Sequence, residues 1–218
     1  MAVIGLVLAS SSPARLATLR TAGIEPRVVV SGVDEDAVLA AAVDERGKLT
    51  PAESALLLAR AKAEAVHYEG PLVLGCDSVL ELDGQAYGKP AHAADAVDRW
   101  RAMRGRSGVL HTGHWLVDNR ATTGLRSRGD VASTTVHFAD VTDVEIEAYV
   151  ATGEPLQVAG AFTIDGLGGP FVTGVEGDHH AVVGLSLPLL RVMLADFGVR
   201  WHELWRPGRA EPGIQLPE

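Results

Sequence analysis

One apolar run that stops on a carboxylate constrains this chain more than anything else in it: Leu72-Val73-Leu74-Gly75-Cys76-Asp77-Ser78, preceded by Gly70-Pro71. A continuous run of this length between turn residues reads as a strand buried on both faces, which requires helices packed on either side. An acid at the end of such a strand sits where open α/β sheets place their chemistry. The run therefore predicts an α/β fold and makes Asp77 the first candidate functional group.

The rest of the chain supplies the layers. Residues 3–9 form another apolar strand that leads directly into Ser10-Ser11-Ser12-Pro13. Pro13 suits the first helical position and Ser12 the N-cap, so a helix is expected over 13–22, closed by Gly23. Arg15 falls in its first turn, where the helix dipole is already positive; an anion bound there would resolve the conflict. Residues 27–31 read as a second strand, followed by the acids Asp34-Glu35-Asp36. Thr50-Pro51-Ala52-Glu53 is a capping box opening a helix to about residue 67. Glu53, Arg60, Glu64 and His67 share one face of that helix, and Lys62 falls with the apolar set on the other. A lysine so placed either snorkels to an edge or reaches into a cleft.

Beyond Asp77, residues 79–87 read as a hairpin turning at Asp83-Gly84, and Pro90 holds Lys89 extended. A helix is expected over 92–103. Residues 109–117 and 131–138 alternate around a polar turn at 119–130, giving an antiparallel hairpin and so a mixed sheet. Thr142-Asp143-Val144-Glu145 is a second capping box, for a helix to 152. Glycine-dense stretches follow at 159–162 and 166–169, then a last helix at 188–197. At 218 residues the chain fits one domain or two small lobes, spanning residues 1–206, with 207–218 a loose tail.

Composition narrows the function. Nineteen Lys and Arg against 28 Asp and Glu give a net charge of −9 and a pI near 5.3. No basic stripe is available for a nucleic acid backbone, so no nucleic acid partner is expected. A single cysteine excludes an internal disulfide and fits a reducing compartment. The apolar run at 3–9 lacks a preceding basic region and reads as a strand, not a signal peptide. No run approaches the roughly 20 apolar residues of a membrane span. A cytoplasmic protein without a membrane partner is the expectation.

Four pieces with complementary charge stand at element ends. Hydroxyls and free N–H groups at Ser10 to Ser12, with Arg15 beside them, suit a phosphate. Asp77 and Glu35 are hard oxygen donors suited to Mg²⁺ or Mn²⁺, and Lys62 and Lys89 could neutralise further phosphate charge. Each also has a purely structural reading: a good helix start at Ser12-Pro13, solvated acids at 34–36, a snorkelling Lys62. The glycines at 166–169 lack the Lys-Ser/Thr of a P-loop, so turn geometry accounts for them. His111 and His114 read as strand residues and His179-His180 as a loop, with no zinc-like ligand set. Cys76 reads as a small core residue.

The ordered set Ser10-Ser11-Ser12-Pro13-Ala14-Arg15, Val33-Asp34-Glu35, Ala61-Lys62-Ala63, Gly75-Cys76-Asp77-Ser78-Val79, Gly88-Lys89-Pro90, Thr112-Gly113, Gly153-Glu154-Pro155, Ala159-Gly160 and Gly166-Leu167-Gly168 resembles the Maf family of nucleoside triphosphate pyrophosphatases. The resemblance runs over residues 3–197. It implies a mixed, twisted α/β sheet in two lobes with a central cleft, related to the inosine triphosphate pyrophosphatases. It also implies metal-dependent hydrolysis of a nucleoside triphosphate to the monophosphate and pyrophosphate, associated with clearing unwanted nucleotides or restraining septum formation. The family's motif positions fall on Ser10, Arg15, Glu35, Lys62, Asp77 and Lys89, with Ser12 in the same opening loop. Asp77 is implied as general base, sharing a divalent metal with Glu35. Members preferring dTTP and UTP usually carry arginine at Ala14, threonine at Ser78, lysine at Val158 and glutamine at Asp165. The 7-methyl-GTP type also lacks that arginine and has an acid near Asp165, but carries glutamine at Ser78. Ala14, Ser78 and Asp165 are therefore the positions implied to set base choice. A homodimer through the last helix is a family-level expectation. A nucleotide sensor without turnover and an orthophosphate-releasing phosphatase are the alternatives.

Overall fold

The computed structural model describes residues 4–67, 70–120 and 126–205. Among them the strands are β1 (Leu6–Leu8), β2 (Arg27–Val28), β3 (Leu72–Leu82), β4 (Gln85–Tyr87), β5 (Ser107–Asp118), β6 (Arg126–Phe138) and β7 (Val172–Glu176). The α-helices are α1 (Pro13–Thr21), α2 (Glu35–Arg46), α3 (Pro51–Glu64), α4 (Ala93–Met103), α5 (Asp143–Ala151), α6 (His179–Val183) and α7 (Leu187–Asp196). One mixed sheet runs β2-β1-β3-β5-β6-β7, with β4 also on β3. Only the β1 pairings with β2 and β3 are parallel; the others are antiparallel. The fold is thus the α/β class expected, with the mixed sheet that the 109–138 hairpin required.

The position of Asp77 needs correcting. It is not at a strand end: β3 continues through it to Leu82, paired with β5 over almost its full length. What ends is the neighbour on the other edge. There β1 pairs with Leu72, Val73 and Leu74, and β4 with Leu80, Glu81 and Leu82. The edge between, at 75–79, carries no strand among the described residues, and Asp77 and Ser78 sit in that gap.

The cores divide at the same place. Leu72 and Leu74 join Leu6, Leu8, Leu19, Leu190 and Met193 in one cluster, while Leu80 and Leu82 join Trp100, Leu110, Phe138 and Ile146 in another. The long strands therefore belong to both halves of the molecule. In the second cluster Trp100 makes edge contacts with Phe138, Tyr149 and Phe171 at ring distances of 5.6–5.8 Å, and its Nε1 donates to Ala161 O at 2.7 Å.

Helix α3 lies with its backbone directly on the sheet. Gly75 and Gly113 permit this, since a Cβ on either would meet Ala59 O at 2.1 Å or Ala55 O at 2.4 Å. Both capping boxes form as expected, at Thr50 with Glu53 and at Thr142 with Glu145. Helix α7 buries Leu190, Met193 and Leu194, so its apolar face is largely consumed by the core; Val192 remains 42% exposed.

Several elements went unforeseen. The acids at 34–36 open α2, with Asp34 Oδ1 accepting from Ala37 N at 3.0 Å. His179-His180 begin α6 and do not lie in a loop; β7 forms as an edge strand on β6. The expected strand at 27–31 is reduced to two residues. The tail at 207–218 and part of the turn at 119–130 lie outside the described residues. No helix among those described is long and apolar enough to cross a membrane.

His114 joins β5 to the last helix. It is 0% exposed, its Nδ1–H donates to Thr112 O at 3.0 Å, and its Nε2 accepts from Ser186 N at 2.8 Å. Burial pushes the imidazole from 6.5 down to about 4, so it is neutral in the fold. Unfolded chains bind a proton at this site below pH 6.5 and folded ones only near 4, so stability contributed here is complete above 6.5 and lost as pH falls toward 4. The gap corresponds to on the order of 3 kcal/mol. Denaturant unfolding at pH 7 and pH 4.5 should show a steeper loss in the wild type than in His114→Gln; equal losses would remove His114 as the cause.

Candidate active site

The gap on the β3 edge opens into a cleft of about 820 Å³. All the candidate side chains named from sequence line it. Ser10, Ser12, Ala14 and Arg15 come from the β1–α1 turn, and Glu35 from α2. Lys62 comes from α3, Asp77 and Ser78 from β3, Lys89 from the segment after β4, and Asp165 from the glycine-rich segment. The walls thus come from segments far apart in sequence that meet only where β3 lacks a neighbour.

At its centre a lysine stands between two acids. Lys62 Nζ donates to Asp77 Oδ1 at 2.5 Å and lies 2.8 Å from Glu35 Oε1. Lys62 and Asp77 are 9% and 8% exposed, so their pairing is nearly dry, whereas the Glu35 side chain is 44% exposed. The close seating of α3 makes this possible, because Lys62 projects from the face that Ala59 and Ala63 bury. Of the two alternatives left open for Lys62, it reaches into the cleft. Burial raises the Asp77 carboxyl above its usual range; Lys62 and Arg15 oppose this and Glu35 adds to it. A carboxylate so tuned is a better proton acceptor than one in water. Oxygens of Asp77 and Glu35 also converge on one cationic atom. That makes a hard-oxygen pair fitted to a divalent ion such as Mg²⁺ or Mn²⁺.

Arg15 resolves its conflict with the α1 dipole differently from the expected anion. Its side chain leaves the helix start and spends its donors on the protein: Nε on Gly184 O at 2.8 Å, one terminal nitrogen on Cys76 O at 2.8 Å and Ser10 Oγ at 3.2 Å, the other on Ser78 Oγ at 3.2 Å. Guanidinium has five N–H donors, so little hydrogen-bonding capacity is left for a ligand, although its charge still acts on the cleft. Ser12 caps α1 by accepting from Arg15 N at 3.4 Å, and Ser10 Oγ accepts from Ser12 N at 3.2 Å.

Two positioning contacts were not legible beforehand. Thr112 Oγ1 bonds Ser78 Oγ at 2.9 Å and donates to Ala181 O at 2.8 Å, so Ser78 is held from two sides. Arg99 donates to Gly88 O at 2.6 Å and pairs with Asp95 at 2.8 Å, fixing the turn that presents the exposed Lys89. Asp95 and Arg99 stand four apart, the spacing of a helix ion pair, but nothing local in the sequence points to Gly88 O as a second partner.

Outside the cleft, Cys76 is fully buried and its thiol is pushed up to about 12, as befits a core residue. The expectation of no zinc-like set is modified: ligand atoms of Asp178, His179 and His180 lie within 4.8 Å of one another.

The chain resembles known proteins over nearly its full described length. The family profile described as Maf-like protein matches residues 5–197. It is 60% identical over 210 residues to a protein of Salinispora tropica named nucleoside triphosphate pyrophosphatase, covering 93% of this chain and 88% of that one. A Streptomyces coelicolor protein of the same name is 58% identical over 206 residues, covering 93% and 95%. Among solved structures, the Staphylococcus aureus Ham1 protein is similar at a TM-score of 0.37 and 17% identity, covering 62% of this chain and 72% of that one.

Proposed function

The chain belongs to the Maf-like protein family, and from that premise we propose that its cleft hydrolyses a nucleoside triphosphate to the monophosphate and pyrophosphate. It is a hydrolase acting on an acid anhydride, like the relatives so named. The observation that carries the reading is the Lys62 bridge: a dry carboxylate of raised basicity, a second carboxylate and a cation meet at one point of a cleft that also holds Lys89 and the charge of Arg15.

Asp77 orients a water and takes its proton as the oxygen attacks the α-phosphorus; the α–β anhydride bond breaks and pyrophosphate departs. Lys62 and Lys89 hold positive charge against the phosphate oxygens, and the Ser10 to Ser12 turn supplies N–H and hydroxyl groups to them. Phosphoryl transfer depends on such preorganised charge more than on covalent help. Asp77 and Glu35 would hold a divalent ion, which supplies Lewis-acid neutralisation of the triphosphate. Ala14, Ser78 and Asp165 face the same cleft and are assigned to base choice. Ser78 acts there through a hydroxyl already engaged by Arg15 and Thr112. Clearing non-standard or excess nucleotides in a reducing cytoplasm is the role this chemistry fits, and the lone buried cysteine agrees with that compartment.

Incubating the protein with a panel of nucleoside triphosphates and Mg²⁺ or Mn²⁺ tests the reading. Pyrophosphate release from one or a few of them is expected. Orthophosphate release instead would make it a phosphatase, and tight binding with no release a sensor; either result overturns the proposal.

A further inference from the structure

Glu154 stands outside the group around Asp77, at the start of the short 3₁₀ turn Glu154–Gln157. Its carboxylate nevertheless gathers four donors. Oε1 accepts from Tyr149 OH at 2.8 Å, Thr163 Oγ1 at 2.5 Å and Gly168 N at 3.1 Å, and Oε2 accepts from Leu167 N at 3.0 Å. An ionised carboxylate offers only acceptors, so it satisfies four donors where an amide could not. Burial pushes the Glu154 carboxyl up, but hydrogen bonds from Thr163, Leu167, Tyr149 and Gly168 outweigh it and hold the group below its ordinary value.

The glycines beside it follow from the same arrangement. A Cβ on Gly166 would lie 2.6 Å from Glu154 Oε2, and one on Gly168 2.4 Å from Tyr149 OH. Turn geometry alone does not account for this run: the glycines make room for the carboxylate and the phenol. The segment is fastened upstream as well. Gly160 N donates to Gly88 O at 3.0 Å, and Ala161, held at φ 61°, gives its carbonyl to Trp100. Between these two anchorages the chain carries Thr163 and Asp165 into the cleft wall. Asp165 is itself exposed, and its side chain makes no hydrogen bond or ion pair among the described residues that would fix it. Its placement is inherited from the clasp behind it.

We infer that Glu154 is a positioning residue for base selection, holding residues 163–168 so that Asp165 meets the nucleobase in one fixed geometry, without taking part in cleavage of the anhydride. The inference rests on the reading of the cleft as a nucleoside triphosphate site. A carboxylate at Asp165 accepts hydrogen bonds and donates none, so the geometry favours a base whose edge presents N–H groups. Selectivity built on a placed polar group is lost when that group is free to move, because competing bases are then no longer rejected by unpaired contacts.

The test is steady-state pyrophosphate release across the nucleotide panel for the wild type, Glu154→Gln and Tyr149→Phe. In Glu154→Gln the kcat/KM ratio between the preferred and the next nucleotide should fall about tenfold or more, through KM, with kcat on the preferred one changed by less than about threefold. Tyr149→Phe keeps the ring packed on Trp100 and Phe171 and deletes one of the four donors to Glu154 together with the acceptor of Thr163 N at 3.2 Å, while the other three donors to the carboxylate remain, so it should move the ratio the same way by less. It keeps the test decisive if Glu154→Gln does not fold. Unchanged ratios, or an equal loss on every nucleotide through kcat, overturn the inference and leave the cleft reading standing. No pyrophosphate from the wild type on any nucleotide overturns both.

Discussion

Replacing Asp77 with Asn should lower pyrophosphate release by about 10³-fold or more, the range expected when a general base next to the reacting centre is removed. The amide is nearly isosteric but cannot accept the water's proton, and it can no longer share a cation with Glu35. The fold should tolerate the change. Removing one partner of a buried ion pair is usually expensive because it strands the other charge. Here Lys62 keeps Glu35 at 2.8 Å, and the lost carboxylate was one that burial had already made costly to ionise. Thermal unfolding of Asp77→Asn should therefore stay close to the wild type while turnover collapses. Turnover within tenfold of the wild type in a folded variant would sink the assignment of Asp77.

The second large effect is structural and reaches the site indirectly. Gly75→Val should destabilise the protein by about 3 kcal/mol or more, lowering the melting temperature by roughly 6–12 °C in a chain of this size. The new side chain has nowhere to go: its Cβ would sit 2.1 Å from Ala59 O, 2.8 Å from Ala63 N and 2.9 Å from Ala63 Cβ, and none of these is the end of a flexible side chain. Helix α3 must lift off the sheet, and Lys62, adjacent to Ala63, lifts with it. Loss of the contact with Asp77 should follow, so activity in any folded fraction should fall too. Gly88→Ala is the stability control, since nothing lies within 4 Å of a Cβ there. A Gly75 variant as stable as that control would show that α3 is not held where the structure places it.

Much of this architecture was written locally. Thr50 with Glu53 and Thr142 with Glu145 specify helix starts within four residues, and both cap as the sequence requires. The alternation at 109–138 was enough to call for an antiparallel hairpin and hence a mixed sheet. Elements lacking a local signature were missed. Helix α2 buries only Ala42, so it has no apolar stripe to betray it, and its cap and acidic first turn looked like a solvated loop. Strand β7 is an edge strand whose residues are only half-buried or exposed, so burial left little pattern in it. Asp77 was expected at a strand's end and instead lies within one, because an apolar run shows where a strand is buried but not where its neighbour stops.

The site divides in the same way. Sequence by itself determined which charged residues were candidates, that a helix would begin at Pro13 beside Arg15, and that Lys62 lay on an apolar face with only two ways to resolve its burial. Tertiary structure alone decided that Lys62 bridges Asp77 and Glu35, and that Arg15 spends its donors on Gly184, Cys76 and Ser78. It decided too that Glu154 clasps the wall bearing Asp165. The reason is physical. Capping and burial preference act within a few residues, whereas an ion pair or a carboxylate's basicity depends on which groups converge through space and on how completely water is excluded between them. Here that convergence exists because β1 and β4 leave the middle of β3 uncovered.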